Sequence, residues 1–305
     1  MYKAKEQIRV QWFWGNKCNF DCSYCPPALH NNKMEIPEHE VFLEAVEYLS
    51  RQIRFVDMIP CMEFTGGEPS QLPFLGTYLR ASQGNMPPNS SLVTNGSAST
   101  DWFEQIIPFY TYIEISYHPG WSNFTHITNV IDFIKEQDDS TDVTVVVNVD
   151  NDDERWIKGV SAYNRFLQMG YKAKLKLLYS NFGKGNQLYP YKTYQLEQYY
   201  STFGKEFNPE HTVFHQDGIT ERRQRHDLNK EKLENKSYNF KDKLCYAGVE
   251  HLVVLDNGDV YRGWCKVGGK LGNVFDKDVV IPTEPIKCPL DYCRNGFDKE
   301  ATKTI

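Results

Sequence analysis

Residues 143–177, VTVVVNVDNDDERWIKGVSAYNRFLQMGYKAKLKL, contain the pattern that decides the fold. A β-branched run is followed by a stretch that opens with acidic residues and stops at Gly170, after which a second apolar run begins. Acidic residues stabilise the positive end of a helix and glycine commonly follows its last residue, so a helix is expected between the two runs. A strand–helix–strand unit indicates two parallel strands joined by a right-handed crossover.

The same alternation runs from residue 7 to about residue 180 and predicts six strand–helix units. The other strands are expected at 7–14, 59–65, 91–94 and 112–117, and helical spacing of apolar residues is found in 38–52 and 124–137. A sixth helix is expected within 184–204. Six units form either an open doubly wound sheet or a partial barrel, and periodicity alone does not choose between them. In both α/β folds the chemistry lies at the carboxyl ends of the strands.

The composition is that of an ordinary soluble globular protein, with 40% hydrophobic and 24% charged residues in 305. A formal net charge of −6 without a long basic stripe argues against nucleic acid or an anionic membrane as a partner. We find no secretory signal and no run of about 18 apolar residues, so a cytoplasmic protein without a membrane span is expected. Grouped cysteines in such a protein indicate metal or cluster ligation rather than disulfides.

The segment CNFDCSYC follows the first predicted strand and has the spacing C-x3-C-x2-C. Its thiols are those of Cys18, Cys22 and Cys25. Structural zinc sites usually have four protein ligands, whereas three thiolates on a [4Fe–4S] cluster leave one iron free to bind a small molecule. Three more polar or glycine-rich segments, TGGEPS, TNGS and SYHPG, also lie at predicted strand ends. Four such segments on one rim predict a functional site.

The pattern C-x3-C-x-aromatic-C, with Tyr24 at the aromatic position, resembles the defining motif of the radical S-adenosylmethionine (radical SAM) enzymes. TGGEP at 65–69 is similar to the second motif of that family. The resemblance covers residues 7–180 and implies a partial (β/α)6 TIM-like barrel. It implies two cofactors, a [4Fe–4S] cluster on the three cysteines and S-adenosylmethionine on its open iron. Such enzymes cleave S-adenosylmethionine reductively to a 5′-deoxyadenosyl radical, which abstracts a hydrogen atom from the substrate.

The resemblance also implies contacts between the second motif and S-adenosylmethionine. Gly66, Gly67 and Glu68 are expected to meet the methionine ammonium, because glycine allows close backbone approach and Glu68 accepts from the cation. Pro69 is expected to fix the bend that turns these carbonyls inward.

Contacts outside the second motif are implied in the same way. Tyr24 is expected beside the adenine, and Ser116 and Asn148 are expected to contact the ribose or the carboxylate. A polar residue at a strand end also serves as an ordinary cap, so both readings of Ser116 and Asn148 stay open. Thr94 and Asn95 either line the site or form a turn.

Four more cysteines surround the predicted hairpin HLVVLDNGDVYRGW (251–264), whose Asn257-Gly258 pair predicts a type I′ turn. They are Cys245, Cys265, Cys288 and Cys293. Their arrangement resembles the auxiliary-cluster module called twitch, a shortened relative of the SPASM domain. The resemblance implies a second, fully ligated [4Fe–4S] cluster, and a four-thiolate zinc site remains the alternative. The expected division is a radical SAM core at 1–204, a charged connecting segment at 205–243 and the auxiliary module at 244–305.

Three other residues have both a structural and a functional interpretation. Cys61 lies inside the second predicted strand, where a small buried side chain is the simpler interpretation and a hydrogen-atom donor is the alternative. His118 follows the fourth strand and either contacts substrate or is a solvated loop histidine, and His30 beside the cysteine triplet has the same two interpretations.

The predicted function is that of an enzyme that oxidises or modifies a small molecule or a peptide. The first strand begins at about residue 7, so no N-terminal leader-binding domain is expected, which slightly favours a small molecule or a peptide recognised in another way. The resemblance implies an electron donor such as a flavodoxin or ferredoxin. The alternative is a non-catalytic iron–sulfur or zinc protein that transfers electrons or acts as a scaffold, which leaves GGEP at a strand end unexplained.

Overall fold

The computed structural model describes residues 6–25, 30–84, 90–178, 188–203, 212–214, 220–222, 240–291, 293 and 295–304. Its first elements are β1 (Gln7–Gly15), α1 (His39–Phe55), β2 (Ile59–Gly66), α2 (Leu75–Gln83), β3 (Ser90–Thr94), α3 (Thr100–Ile106), β4 (Tyr110–Tyr117), α4 (Phe124–Gln137), β5 (Asp142–Val149), α5 (Asp153–Gln168), β6 (Lys172–Leu177) and α6 (Thr193–Thr202). The later elements are β7 (Thr212–Phe214), β8 (Thr220–Arg222), β9 (Leu244–Cys245), β10 (His251–Val254), β11 (Asp259–Tyr261), β12 (Lys270–Asn273), β13 (Ile286–Lys287), α7 (Gly296–Lys299) and β14 (Lys303–Thr304). The six strands and the helices predicted from the sequence are confirmed.

The strands between residues 7 and 177 pair in parallel. β3, β4, β5 and β6 form a four-stranded sheet in that order, with Ile113 opposite Val143 and Val145 opposite Ala173. β1 pairs with β2 in a second sheet, where Trp12 lies opposite Phe64. The chain is therefore a mixed α/β protein, and the loops that follow the parallel strands of each sheet lie along one edge of it.

The two faces of the strands differ in polarity. On β1 the even-numbered side chains are buried against the helices, as shown by Trp12, whose ring lies 5.0 Å from that of Phe42 in α1. Because side chains alternate along a strand, the odd-numbered residues point to the opposite side. We use the term polar face for this opposite side of β1 and β2 and for the side of β4–β6 that carries Glu114, Asn148 and Lys176. Its charged or amide residues include Arg9, Gln11, Glu63, Glu114, Asn148, Lys174 and Lys176.

The C-terminal hairpin extends the β1–β2 sheet. β10 pairs in parallel with β1, with Trp12 opposite Val254, and β11 and β12 continue the sheet beyond β10. Leu252, Val254 and Val260 are buried in the main apolar core. The hairpin between Cys245 and Cys265 is therefore paired with β1, the strand that leads into the Cys18–Cys25 loop.

The turn of this hairpin differs from the prediction. Leu255 N donates to Asp259 O and Gly258 N donates to Leu255 O, each at 2.9 Å, so the loop has the three residues 256–258. A type I′ turn requires positive φ at both central residues, yet only Gly258 has it, at +84°. The type I′ prediction is wrong because the pairing of Leu255 with Asp259 leaves three loop residues, the length at which a left-handed glycine closes the turn.

The remaining described strands are short. β9 lies between β13 and β14 in a three-stranded antiparallel sheet, and β7 pairs with β8. The predicted connecting segment, 205–243, lies for the most part outside the described residues. No helix in the described parts of the chain is long and apolar enough to cross a membrane.

Candidate functional site

The three N-terminal cysteines lie in the loop that follows β1. Cys25 N donates to Cys22 O at 2.9 Å, and Phe20 N donates to the sulfur of Cys18 at 3.4 Å. Burial, reinforced by the neighbouring Cys18 and Cys25, raises the pKa of the Cys22 thiol to about 12, and burial raises that of Cys25 to about 11. Thiols in this setting need a positively charged partner to become thiolates.

The glycine-rich segment after β2 joins this loop backbone to backbone. Gly67 N donates to Gly15 O at 3.0 Å, and Glu68 N donates to Lys17 O at 2.8 Å. A Cβ on Gly66 would lie 2.2 Å from Gly15 O, and one on Gly67 would lie 1.9 Å from Lys17 O. The close approach that both glycines allow is therefore to the cysteine loop. Their predicted contact with a methionine ammonium stays a prediction.

Glu68 connects the end of β2 to the end of β3. Its side chain is 3% exposed, and Oε1 accepts from Ser70 N at 3.1 Å and from Thr94 Oγ1 at 2.6 Å. Oε2 accepts from Asn95 N at 2.7 Å. Burial raises the pKa of Glu68, and these three donors oppose the rise. Pro69, the other residue predicted from this motif, begins a short 3₁₀ turn.

The loop after β3 also contacts the cysteine loop. Asn95 Nδ2 donates to Asn19 Oδ1 at 2.9 Å, and Asn19 Nδ2 donates to Ser97 Oγ at 2.8 Å. Gly96 has a φ of +70°, and a Cβ there would lie 2.6 Å from the side chain of Ile127. Thr94 and Asn95, for which two roles were open, hold three strand-end loops together.

His118, after β4, packs against the cysteine motif. Its Nδ1 lies 3.7 Å from the sulfur of Cys22 and is hydrogen-bonded to the hydroxyl of Tyr24, whose ring stacks on the imidazole at 5.9 Å. Burial, with a smaller contribution from the charge of Lys176, lowers the pKa of His118 to about 4, so the imidazole is neutral at pH 7. His118 is thus a half-buried residue packed against the cysteine motif rather than a fully solvated loop histidine. His30, the other histidine considered, lies 3.1 Å from Asp21.

A charged pair and an indole near Tyr24 were not identified from the sequence. Asp150, directly after β5, is 2% exposed and accepts from Arg155 Nε at 2.7 Å. The Arg155 guanidinium lies 5.9 Å from the centre of the Trp121 ring, and that ring meets Tyr24 edge-on at 6.4 Å. The only sequence signal was an acidic residue at a strand end followed by an arginine one helical turn later.

Ser116 and Asn148 lie on the polar face at the carboxyl ends of β4 and β5. Ser116 is opposite Val146, and Asn148 is opposite Lys176 of β6. Asn148 is buried and donates to Val146 O at 3.2 Å. Both side chains are on the strand ends where a cofactor contact was predicted, and the contact itself stays a prediction.

All four C-terminal cysteines line one largely enclosed cavity. Cys245 belongs to β9, Cys288 follows β13, and the chain reaches Cys293 before α7 begins. The buried carboxylate of Asp298 accepts from Trp264 N at 2.9 Å and from Cys265 N at 2.8 Å. These two hydrogen bonds fix the backbone of Cys265, the remaining cysteine of the group. Residues scattered over almost 50 positions thus converge on one small volume.

Two cationic side chains lie near these thiols. Arg262 lines the same cavity and donates to Ala247 O at 3.0 Å, and Lys303 Nζ donates to Asp298 O at 2.8 Å. Burial raises the pKa values of Cys245 and Cys293, and the positive charge of Lys303 opposes that rise. Soft sulfur donors with nearby cations fit an anionic iron–sulfur cluster or a zinc tetrathiolate. Across the described residues, no three His, Cys, Asp or Glu side chains are already arranged as ligands of a single metal ion.

Trp264 links the two groups of cysteines. It directly precedes Cys265, and its Nε1 donates to Gln11 Oε1 on the polar face of β1 at 2.6 Å. Its ring meets Phe13 edge-on at 6.5 Å. Phe13 is two residues before Gly15, where β1 ends and the first cysteine loop begins.

No family model matches the chain, and no curated protein matches it. Among solved structures, native anSMEcpe with bound AdoMet is 18% identical, with 88% of this chain and 78% of that chain covered and a TM-score of 0.49. BtrN in complex with AdoMet and 2-DOIA is 13% identical, with coverage of 90% and 81% and a TM-score of 0.45. Selenomethionine BtrN in an open conformation is 13% identical, with coverage of 90% and 78% and a TM-score of 0.40. At these values the likeness carries no inference about function.

Proposed function

We propose that the chain is a radical SAM enzyme. One observation carries this proposal: Gly15 and Lys17, just before Cys18 of the C-x3-C-x-aromatic-C motif, accept backbone hydrogen bonds from Gly67 and Glu68 of the GGEP segment at the adjacent strand end. The glycines are required for that junction, since a Cβ at either position would overlap a backbone oxygen of the cysteine loop. Two motifs that form one structural unit are a stronger indication of a shared site than either motif alone.

The proposed cofactor site has defined parts. Cys18, Cys22 and Cys25 would hold a [4Fe–4S] cluster, and S-adenosylmethionine would bind its open iron. When bound, the reduced cluster supplies the electron that cleaves S-adenosylmethionine, and the cleaved cofactor removes a hydrogen atom from the substrate. The proposed contacts of S-adenosylmethionine are Tyr24, Gly66, Gly67, Glu68, Pro69, Ser116 and Asn148.

This chain's own residues position the cofactors and shield the site from water. The hydrogen bonds of Glu68 and Asn95 hold three strand-end loops in contact, so the cysteine loop has few alternative conformations. Tyr24, His118 and Trp121 form an aromatic wall beside Cys22. Loops held in this way, together with an aromatic wall, limit the access of water to the proposed cofactor site, which radical chemistry requires.

For the substrate, we propose the polar face as the binding surface, within a partial (β/α)6 barrel formed by β1–β6. Parallel pairing within β1–β2 and within β3–β6 supports this arrangement, as does the Glu68 link between the ends of β2 and β3. Lys176 offers an ammonium group there, while Gln11 Oε1 accepts from Trp264 and the Glu63 carboxylate is paired with Arg9. Such a surface suits the oxidation or modification of a polar small molecule or a peptide, with electrons from a donor such as a flavodoxin or ferredoxin.

We propose an auxiliary [4Fe–4S] cluster on Cys245, Cys265, Cys288 and Cys293, in a module that spans residues 244–305. Two facts support it: the four thiols line one cavity, and two cations lie beside them. A zinc tetrathiolate would need the same ligands, and metal analysis separates the two.

The test is anaerobic reconstitution with iron and sulfide, followed by reduction in the presence of S-adenosylmethionine. We expect about eight irons per chain and formation of 5′-deoxyadenosine. The triple variant Cys18/Cys22/Cys25→Ala should keep about four irons and form no 5′-deoxyadenosine. Cys61→Ala is the matched control, because Cys61 is a buried cysteine of β2 outside both groups.

Each contradicting result has a distinct meaning. A fully loaded triplet cluster without any 5′-deoxyadenosine would favour the non-catalytic iron–sulfur protein. If the triple variant retained zinc and almost no iron, the C-terminal site would be a zinc site while the radical SAM proposal stood.

A further inference from the structure

His118 has one ring nitrogen placed between two groups of the cysteine motif. Nδ1 lies 3.7 Å from the Cys22 sulfur and is also hydrogen-bonded to the Tyr24 hydroxyl. A distance of 3.7 Å is within reach of a hydrogen bond to sulfur, an atom larger than oxygen. The nitrogen is therefore shared by a candidate cluster ligand and a candidate cofactor contact.

The imidazole is held in this position by its surroundings. His118 N donates to Ser122 Oγ at 2.9 Å, and Trp121 N donates to His118 O at 2.9 Å. The Tyr24 ring stacks on one side, and the Phe20 ring meets the imidazole edge-on at 5.9 Å. A ring fixed by its backbone and by two aromatic neighbours has little freedom to turn Nδ1 away from Cys22.

We infer that His118 is a positioning residue that donates an Nδ1–H hydrogen bond to the Cys22 sulfur and thereby raises the reduction potential of the cluster on Cys18, Cys22 and Cys25. The inference rests on the proposed function. An iron-bound thiolate can only accept hydrogen bonds, and a neutral imidazole has a single N–H. A cluster bound to Cys22 therefore favours the His118 tautomer that carries its proton on Nδ1. A donor to a cluster sulfur is one of the protein's means of setting cluster potential.

The direction of the effect follows from charge. On reduction the cluster gains one electron, supplied in a titration by a reductant such as titanium(III) citrate, and no bond to the protein breaks. The added negative charge strengthens an N–H···S hydrogen bond, so the bond stabilises the reduced form more than the oxidised form. The Tyr24 hydroxyl is in hydrogen-bonding contact with the same Nδ1, and its hydrogen bond to Cys22 opposes the rise that burial causes in the pKa of that thiol.

The experiment is a redox titration of the reconstituted full-length protein, followed by electron paramagnetic resonance. Addition of S-adenosylmethionine identifies the triplet cluster, since only its open iron binds that molecule. In His118→Leu we expect the reduction equilibrium to shift about tenfold toward the oxidised form, which for a one-electron couple is about 59 mV more negative. His118→Asn is the matched control, because its Nδ2–H occupies the place of imidazole Nδ1–H, and it should stay near the wild-type potential.

A second variant keeps the test decisive if His118→Leu fails to load a cluster. The amide nitrogen of His118→Gln matches imidazole Nε2 rather than Nδ1, so this variant keeps a polar side chain but loses the donor to Cys22, and its potential should shift in the negative direction as in His118→Leu. A wild-type potential in a cluster-loaded His118→Leu or His118→Gln variant, or equal shifts in the Leu and Asn variants, would each overturn the inference. If wild-type protein gave no signal sensitive to S-adenosylmethionine, the proposed function would fail and this inference with it.

Discussion

Replacement of Gly67 by alanine tests the junction of the two motifs most directly. The added Cβ would lie 1.9 Å from Lys17 O and 2.5 Å from Lys17 C, both backbone atoms that no side-chain rotation can move. The loop must separate from the end of β2, which breaks the hydrogen bonds from Gly67 N and Glu68 N. Two hydrogen bonds at about 1 kcal/mol each and overpacking of about 1–3 kcal/mol give an expected loss of about 3–5 kcal/mol in the free energy of unfolding.

Gly170→Ala is the matched control for this substitution. Gly170 has a φ of +82° and no heavy atom within 4 Å of the position of a Cβ, so alanine there has only the backbone cost of about 1–2 kcal/mol. Urea unfolding of the metal-free proteins, monitored by circular dichroism, measures both variants, and iron analysis after reconstitution measures the site. We expect Gly67→Ala to lose the triplet cluster and Gly170→Ala to keep it. Equal destabilisation of the two variants with unchanged iron content would contradict the conclusion that Gly67 is needed to join the end of β2 to the cysteine loop.

Three further predictions test other parts of the structure. Glu68→Ala should leave the Asn95 N–H without its acceptor and lower the free energy of unfolding by about 1–3 kcal/mol in urea titrations, together with weaker S-adenosylmethionine binding by calorimetry. Asp298→Ala removes the acceptor of the Cys265 N–H, so iron analysis should show the C-terminal cluster lost while 5′-deoxyadenosine formation persists. The hydrogen bond from Lys270 lowers the pKa of Asp259, so its stabilisation is present above the unfolded pKa and is lost as pH falls through the folded value. The stability advantage of wild type over Asp259→Asn should therefore shrink between pH 5 and pH 3, and a constant difference would contradict this assignment.

Local patterns in the sequence were sufficient for the strands and helices. The helix predicted at 124–137 is observed as α4 with the same ends, because its apolar residues recur at helical spacing and Asn123 caps it by accepting from His126 N at 3.0 Å. β5 was predicted from a β-branched run, and its valines are buried on both faces. Signals contained within 15 residues are read reliably because the interactions that produce them are local.

Pairing between distant segments could not be read in this way. The sequence predicted a hairpin at 251–264 but not its parallel pairing with β1, which joins residues about 240 positions apart. The turn was misread for the same reason, since an Asn-Gly pair suits a two-residue loop, whereas the register of β10 with β11 sets three residues. Asp150 was missed because an acidic residue before a helix resembles a cap. Asp152 is the actual cap, and Asp150 instead accepts from the Arg155 side chain.

β1 is the element common to both groups of cysteines. Its carboxyl end leads into the Cys18–Cys25 loop, its backbone pairs with β10, and its polar face accepts the hydrogen bond from Trp264 beside Cys265. Its apolar face, with Trp12 and Trp14 buried, is fixed in the core. Because a packed core resists displacement, one rigid strand sets the separation of the two sites. The hairpin is built into the β1–β2 sheet rather than attached by a linker, so the segment between Cys245 and Cys265 is held directly against β1.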